Sequence, residues 1–229
     1  MKKIVIGDTV SRAWDLAVKH WPIFVLLVVI YQMINGLGLN IDFPMYTEAI
    51  TNNDPALMSQ AITVSPWLAV TFLLGIYLNY VMLNLYVNAY CTGKPYSTMS
   101  EAFKVDFNQL AIFFCVQLVF GLIVGLGTCL CIIPGIYLYF RLMYAPLLAA
   151  TQGASFTEAF SRSWEMTKGH FWELFLLGLT MIGIAILGFC ACFVGYFFAL
   201  VIISFMLVVS FYVLKGNDAP QAFEYQTEV

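Results

Sequence analysis

Charged residues are scarce in this chain, and their scarcity excludes an ordinary soluble domain. Only 10% of the 229 residues are Asp, Glu, Lys or Arg, whereas a soluble globular domain has about 25%. Hydrophobic residues make up 62%, which is more apolar surface than a soluble core of this size can bury. The basic residues form no tract and the net charge is −3, so nothing in the composition indicates a nucleic-acid partner.

Residues with catalytic or metal-binding chemistry are also few. There are two histidines, each beside an aromatic residue, which suits an anchor at a membrane interface better than a ligand. The chain has no P-loop and no G-x-G-x-x-G sequence. Gly121 and Gly125 form a G-x-x-x-G sequence, which favours close packing of membrane helices. We therefore predict no catalytic residue, no metal site and no cofactor, and expect that the protein is not an enzyme.

Apolar residues, in contrast, occur in blocks long enough to cross a membrane. A spanning helix needs about 20 mostly apolar residues. Lipid offers no hydrogen-bond partner to the backbone, so each block must be helical. Six blocks qualify: 22–40, 66–90, 109–128, 132–151, 171–190 and 193–214. The sequence predicts an all-α fold, that of a polytopic membrane protein with six transmembrane helices in a single membrane domain over residues 1–229.

The basic residues predict how these helices are oriented. Nine of the ten Lys and Arg residues lie before the first block, after the last block, or in the connections 91–108 and 152–170. The opposite connections contain none: 41–65, 129–131 and 191–192. Because basic residues favour the cytoplasmic side, we expect a multi-pass protein of the bacterial inner membrane with both termini in the cytoplasm. We expect no cleavable signal peptide, because no cleavage site closely follows the first block.

Three of the cytoplasmic segments share one pattern. The segments "TVSRAWDLAV" (9–18), "TMSEAFKVDF" (98–107) and "SFTEAFSRSW" (155–164) align without gaps. The second and third copies have a hydroxyl residue followed three positions later by Glu, which is a capping box. Apolar residues at i, i+3, i+4 and i+8 then follow one helical face. We expect short amphipathic helices at the membrane interface with the aromatic stripe towards lipid; polar loops and partner-binding helices are the alternatives.

These segments divide the chain into three repeat units, each an interfacial helix followed by a transmembrane hairpin. The units cover approximately 8–90, 98–151 and 155–214, and residues 215–229 form a short cytoplasmic tail. The connection 40–65 is the longest on the exported side. It contains Asn53-Asp54-Pro55, a helix-start signal, and we predict a short helix over 55–62.

The two short hairpin tips repeat a Cys-x-Cys sequence. "LGTCLCIIPG" (126–135) parallels "LGFCACFVG" (187–195). Disulfides on the exported side and a four-thiolate metal site are alternatives. We favour tight helix packing, because Cys behaves as a small apolar residue and Cys-x-Cys is not the usual zinc spacing. The cysteines concerned are Cys129, Cys131, Cys190 and Cys192.

One arginine, Arg141, lies inside the fourth apolar block. A charge at the bilayer centre costs about 2.5–3.5 kcal/mol on insertion scales, so such residues usually face the bundle interior or a cavity. Tyr137 and Tyr144 share its helical face, and Asn84 and Asn88 share a face of the second helix. We predict these five residues as a ligand-binding site. A purely structural role, snorkelling to the interface, and binding of an anion or lipid headgroup remain open for the arginine.

A family resemblance is carried by "CIIPGIYLYFRLMYAPLL" followed by "SFTEAFSRSWEMTKGHFWELFLL". These stretches resemble bacterial six-helix membrane proteins related to the membrane domain of glycerophosphoryl diester phosphodiesterases. The matching residues are Pro134-Gly135, Arg141, Glu158-Ala159, Ser163 and Lys168-Gly169. The resemblance covers about 98–214 and implies a fold rather than an activity. We expect the soluble phosphodiesterase domain of the fused proteins to be absent, so their hydrolase activity is not carried over.

These features together predict a non-enzymatic integral inner-membrane protein that binds or organises lipid or a membrane partner. The alternative is a small transporter or the membrane subunit of one, which would need a polar, water-accessible cavity near the bilayer midplane. An intramembrane enzyme acting on lipid is the third interpretation. The expected partners are membrane lipids, with a membrane-protein partner as the alternative and no nucleic acid.

Overall fold

Six helices of the protein are long and apolar enough to cross a membrane. The computed structural model describes residues 4–36, 39–41, 43–64, 67–93, 106–130 and 132–216. Within the described residues, the six candidate spans are Ile6–Gly36, Leu68–Thr92, Phe107–Leu130, Ile132–Thr151, Phe171–Cys190 and Gly195–Lys215. The fourth span consists of two consecutive helices, and the sixth is part of a helix that begins at Cys192. The predicted all-α, six-helix membrane fold is confirmed, and the chain is a multi-pass membrane protein. The division into repeats stays a prediction; of its second copy, residues 98–105 lie outside the described residues, as do 217–229 of the tail.

The described elements follow one another with short connections. In chain order they are α1 (Ile6–Gly36), β1 (Leu39–Ile41), α2 (Phe43–Asn52), α3 (Pro55–Ala61), β2 (Ile62–Val64), α4 (Leu68–Thr92), α5 (Phe107–Leu130), α6 (Ile132–Leu142), α7 (Ala145–Thr151), α8 (Phe156–Thr167), α9 (Phe171–Cys190) and α10 (Cys192–Lys215). They form two compact units. One is Leu26–Asn79, and the other comprises the residues up to Val25 and from Tyr80 onward.

The unit Leu26–Asn79 contains the short helix that the sequence predicts after Asn53. Helix α3 begins at Pro55, and the Asp54 carboxylate caps it by accepting the Ala56 N–H at 2.8 Å. The unit also contains α2 and a two-stranded antiparallel ladder of β1 and β2, in which Leu39 lies opposite Val64. Neither was predicted, although the β-branched run of β2 favours a strand.

The core of the larger unit is aromatic. Phe24 of α1, Tyr86 of α4 and Phe205 of α10 are all buried. Their ring centroids lie 4.5 Å, 5.1 Å and 4.8 Å apart in the three pairs. Such pairs contribute about 0.5–1.5 kcal/mol each beyond the area they bury. This cluster therefore joins the first, second and last spanning helices in one core.

Two hairpins, α5–α6 and α9–α10, are closed by close contacts at glycines near their tips, and Gly127 and Gly188 are the glycines at matching positions. A Cβ on Gly135 would lie 2.7 Å from the Thr128 backbone, and a Cβ on Gly188 would lie 2.8 Å from the carbonyl oxygen of Gly195. Small residues at these points let the helix backbones approach closely. Gly121 and Gly125, whose G-x-x-x-G spacing would allow such an approach, make no close contact of this kind, because among the described residues nothing lies within 4 Å of a Cβ at either glycine. Both face open space on α5.

Two interruptions of helical structure position the residues around Arg141. Met143 and Tyr144 separate α6 from α7, and Pro146 lies in the first turn of α7, where its missing N–H is tolerated. Gly169, at φ +87°, separates α8 from α9. The first copy of the repeat differs from the expectation of a separate short helix. Residues 9–18 belong to α1, which continues without interruption through Pro22.

Candidate functional site

Helix α8 packs against α6 and α7 through a face of small residues. Ala159, Ser163 and Thr167 are four residues apart and fully buried. This spacing places them on one side of the helix, and small side chains allow close approach. Ala13 and Ala17, at the aligned positions of the first copy, are also fully buried. The sequence analysis concentrated on the aromatic stripe and missed this face, although the four-residue spacing was visible.

The remaining faces of α8 are partly exposed. The predicted capping box is formed, with the Ser155 N–H donating to the Glu158 carboxylate at 3.3 Å. Glu158 also pairs with Arg162 on the exposed side. In the predicted aromatic stripe, Ala159 is buried against protein, whereas Phe156 and Trp164 are exposed. The interfacial position of α8 stays a prediction.

The contact between α6 and α8 satisfies a backbone carbonyl at the end of α6. The last four carbonyls of a helix have no partner within that helix. The carbonyl oxygen of Arg141 accepts from the Ser163 Oγ at 3.0 Å. The Thr167 Oγ1 lies 3.2 Å from the same oxygen, but its single proton has a closer acceptor in the Ser163 carbonyl at 2.8 Å. Neighbouring Ser and Thr residues commonly satisfy backbone groups freed by helix breaks in membranes. The Ser163 hydroxyl therefore supports the break before Pro146.

The side chain of Arg141 lies under an aromatic ring of α8. Its guanidinium carbon is 4.1 Å from the centroid of the Trp164 ring and 5.8 Å from that of Tyr137. Nη1 donates to the Thr167 Oγ1 at 3.4 Å. Arg141 is only 5% exposed, and its Nε is buried without a hydrogen-bond partner. A desolvated cation–π contact contributes about 2 kcal/mol or more, but it satisfies no N–H donor.

Within the described parts of the chain, no carboxylate pairs with Arg141. The carboxylates there that contact a basic side chain are Glu158, which pairs with Arg162, and Glu173, which lies 3.0 Å from the His170 Nδ1. Guanidinium stays charged in proteins, and an uncompensated buried ion carries an effective penalty of several kcal/mol. The guanidinium is therefore a buried cation held mainly by aromatic rings and one long hydrogen bond.

The predicted surroundings of Arg141 are only partly brought together. Tyr137 contacts it through the cation–π geometry. Tyr144 is fully buried and donates instead to the Ser210 Oγ of α10 at 2.8 Å. The side-chain amide of Asn84 donates to the backbone carbonyl of Tyr80 in its own helix at 3.0 Å. The backbone carbonyl of Asn88 accepts from the Thr92 hydroxyl at 2.7 Å. The hydrogen-bond and second aromatic contacts of Arg141 come from α8 instead. A ligand-binding role for these residues stays a prediction.

An apolar groove, here called the hairpin groove, lies between α5, α6 and α9 with a volume of about 310 Å³. Thr128 and Gly135 form one part of its wall, and Phe140 and Phe175 form another. A Cβ on Gly178 would lie 2.6 Å from the Phe140 ring, so this glycine makes room for the ring. The groove is open along exposed apolar side chains, including Ile136, Leu179 and Ile182.

A series of aromatic rings connects the wall of the hairpin groove to the ring of Tyr137 over Arg141. Phe140, which lines the groove, directly precedes Arg141 in α6. The ring of Phe171, the first residue of α9, lies 6.2 Å from the Phe140 ring and 5.4 Å from the Tyr137 ring. One aromatic side chain thus bridges the groove wall and the aromatic cover of the cation.

A second apolar groove of about 370 Å³ lies at the corresponding glycines of the other hairpin. Gly188 and Gly195 line it together with Trp14 of α1 and Phe198 of α10. The rings of Trp14 and Phe198 meet edge to face at 5.5 Å. Each described hairpin with a glycine contact therefore carries a groove over that contact.

The first turn of α9 holds the start of the described chain. The Glu173 Oε2 accepts the Ile4 N–H at 2.9 Å and lies 3.0 Å from the His170 Nδ1. His170 directly precedes α9. The sequence analysis assigned this histidine to a membrane interface and did not identify its contact with Glu173.

The cysteines of the hairpin tips are only partly described. Cys129 and Cys190 are free and exposed. Cys131 and the side chain of Cys192 lie outside the described residues. Among the residues that were searched, no three His, Cys, Asp or Glu side chains are grouped so that they could hold a metal ion. A packing role for these cysteines stays a prediction.

The site lies in a part of the chain that is similar to a known family. Residues 114–215, just under half of the chain, match the family described as the membrane domain of glycerophosphoryl diester phosphodiesterase. The resemblance predicted from the sequence is confirmed over these residues, which contain Arg141 and all the residues that line the hairpin groove. Searches among curated proteins and among solved structures give no match.

Proposed function

We propose that this multi-pass membrane protein, whose residues 114–215 are similar to a phosphodiesterase membrane domain, binds membrane phospholipid and is not itself an enzyme. The observation that carries the proposal is the pair of apolar grooves over the glycine contacts of α5–α6 and α9–α10. These glycines let the two helices of each hairpin approach closely, and we expect an acyl chain to pack into the apolar groove over each contact. We place the protein in the bacterial inner membrane with both termini in the cytoplasm.

The energetics require more than an apolar surface. An acyl chain that moves from bilayer to groove exchanges one apolar environment for another, so it gains little from the hydrophobic effect. Its affinity for the groove comes from close packing, in which each pair of touching atoms contributes about 0.1–0.2 kcal/mol. A lipid is retained only if many such contacts form, or if its headgroup adds polar contacts. The hairpin groove lies near the polar side chain of Arg141 and is therefore the better candidate for retaining a lipid.

The transporter alternative makes a different demand on the structure. A transported solute needs a polar, water-accessible site near the bilayer midplane. The two described grooves are lined predominantly by apolar residues and open along exposed apolar side chains. They therefore favour lipid binding over solute transport. Solvent-accessibility mapping around Asn84 and Arg141 would reveal a transport path if one exists.

Filling the hairpin groove tests the proposal. In the double variant Leu179→Trp/Ile182→Trp, two indole rings are placed so that they occupy the groove. Because both positions are exposed, we expect the variant to fold as wild type does. We expect native mass spectrometry of the protein extracted from membranes to show fewer retained phospholipids than for wild type. The control is Leu122→Trp, which adds the same ring at an exposed position of α5 outside the groove. Equal lipid retention in wild type and the double variant would overturn the proposal.

A further inference from the structure

We infer that Arg141 selects the lipid: its guanidinium binds the phosphate of an anionic membrane phospholipid, one acyl chain of which occupies the hairpin groove. This inference rests on the proposed lipid binding and adds the headgroup class. The occupant is a lipid rather than a soluble anion, because the ring of Phe171 connects Phe140 of the groove wall to Tyr137, which covers the cation, so the apolar groove and the cation lie close together. Among these ligands, only an amphiphile satisfies both.

The first support is the number of unsatisfied donors. A guanidinium has five N–H donors in one plane. The described partners of Arg141 provide one acceptor, the Thr167 Oγ1 at 3.4 Å, while Nε is buried without any. Trp164 lies over the guanidinium carbon, and a ring stacked on the guanidinium face leaves the in-plane donors free. A phosphate accepts two such donors at once, which matches the missing contacts in both charge and geometry.

The second support is the depth of the site. Arg141 is central in its apolar block, but its partner Thr167 is the last residue of α8. The polar residues Lys168 and His170 follow directly, and Lys168 is exposed. In the predicted orientation this junction ends the cytoplasmic connection 152–170. We therefore expect the guanidinium to be reached from the cytoplasmic headgroup layer, where lipid phosphates are found, although Arg141 is central in its own span.

The third support is the cover of the site. Trp164 and Tyr137 meet edge to face at 6.3 Å, and each is 39% exposed. Both are thus at the surface, although the cation beneath them is 5% exposed. A small separation of these two rings would admit a phosphate to Nε without any change in the buried face of α8. Trp at this position also suits a membrane interface.

The test uses thermal unfolding of the full chain in nanodiscs of phosphatidylcholine, with and without phosphatidylglycerol. A ligand that binds only the folded state raises the melting temperature. We expect phosphatidylglycerol to stabilise wild type, and the stabilisation to be absent in Arg141→Gln. Apparent affinity for phosphatidylglycerol should fall by about tenfold or more, as expected for a lost hydrogen bond to a charged group. Arg141→Lys should retain part of the effect, because it keeps the charge without the bidentate geometry.

The matched control is Arg162→Gln, which removes an exposed arginine of α8, the helix that carries Trp164 and Thr167; Arg162 is paired with Glu158 on the outer side. It should respond to phosphatidylglycerol as wild type does. If Arg141→Gln proves too unstable to purify, the stabilisation of wild type by phosphatidylglycerol is compared with that of Arg141→Lys, which should be smaller. An equal response of wild type to both lipid compositions, or an equal loss in both arginine-to-glutamine variants, would overturn the inference.

Two further arms separate this inference from its alternatives. Inorganic phosphate at millimolar concentration should not reproduce the stabilisation by phosphatidylglycerol; if it does, the ligand is a soluble anion and the inference is wrong. The groove variant Leu179→Trp/Ile182→Trp should reduce retention of both lipids. Unchanged headgroup preference in Arg141→Gln, combined with lipid loss in the groove variant, would overturn the headgroup assignment and leave the proposed function standing.

Discussion

The contacts of the buried Arg141 could be predicted from the sequence only in part. Its position in an apolar block and the lack of a nearby carboxylate predict a cation that needs unusual partners. Tyr137, four residues away on the same helix, was found by helical spacing alone, and its contact is present. Ser163, Trp164 and Thr167 were not assigned to the arginine, because contacts between separate helices do not follow from spacing within either one.

The hydroxyl of Thr167 is expected to stabilise the contact of α8 with α6. Its Oγ1 accepts from the Arg141 guanidinium and lies 3.2 Å from the Arg141 carbonyl oxygen. Thr167→Val keeps the shape of the side chain and should lower the free energy of unfolding by about 1–3 kcal/mol, because buried polar groups lose their partner. Equilibrium unfolding in detergent measures this. Thr180→Val is the control, since its hydroxyl bonds only the Leu176 carbonyl of its own helix; equal losses would show that Thr167 has no special role.

Glu173 is expected to hold the start of the chain. Its carboxylate accepts the Ile4 N–H, and Glu173→Met removes this acceptor. The Ile4 amide should then exchange hydrogen faster, because its protection depends on that bond. Hydrogen exchange followed by mass spectrometry reports the change. Glu165→Met on the exposed side of α8 should leave the exchange unaltered, and unchanged exchange at Ile4 in Glu173→Met would contradict the tether.

The helices themselves were largely predictable, and their interruptions were not. Apolar length identified five of the spanning helices to within about two residues and also identified α1, which begins earlier than its apolar block. The first copy of the repeat forms one helix with its span, while the third is separated from its span at Gly169. One residue, Lys19, lies between the aligned segment and His20 in α1, whereas five residues, 165–169, lie between the aligned segment and His170 in the third unit. The longer connection contains Gly169, whose positive φ accompanies the separation of α8 from α9.

The glycine contact of the α9–α10 hairpin is expected to be intolerant of even one methyl group. A Cβ on Gly188 would lie 2.5 Å from the Ala199 Cβ and 2.8 Å from the Gly195 carbonyl oxygen. Gly188→Ala should therefore destabilise the protein by about 1–3 kcal/mol, the usual cost of overpacking. Gly183→Ala in the same helix meets nothing within 4 Å and should be neutral or slightly stabilising. Melting temperatures in one detergent compare them; an equally stable Gly188→Ala would refute the close contact.

For the molecule as a whole, composition and block length were sufficient for the fold class, because the bilayer permits few backbone structures. The limits that a bilayer sets on backbone structure do not predict where grooves form on the helix surfaces. The two grooves depend on which glycines face a neighbouring helix, and G-x-x-x-G spacing selected the open pair at Gly121 and Gly125 instead of the close contacts. Strand β2 lies in the 40–65 connection, where apolar block length is no guide, and β1 begins at Leu39, inside the end of the first apolar block, which was predicted to be helical throughout.

The orientation predicted by the basic residues is open to a direct test. Reporter fusions after residues 55, 95, 130, 153 and 217 should read outside, inside, outside, inside and inside. The reason is the placement of nine of the ten Lys and Arg residues on one side of the predicted spans. An exported reporter after residue 217 would contradict the orientation, and with it the access to Arg141 from the cytoplasmic headgroup layer.

The most direct measurement of lipid recognition is an experimental structure of the full chain in nanodiscs containing phosphatidylglycerol and phosphatidylcholine. We predict an acyl chain in the hairpin groove between α6 and α9, joined to a phosphate whose oxygens lie about 2.7–2.9 Å from the guanidinium nitrogens of Arg141. Trp164 should remain stacked on the guanidinium face or move aside with Tyr137. A groove without lipid, together with an Arg141 that still has no anion, would contradict lipid recognition at this site.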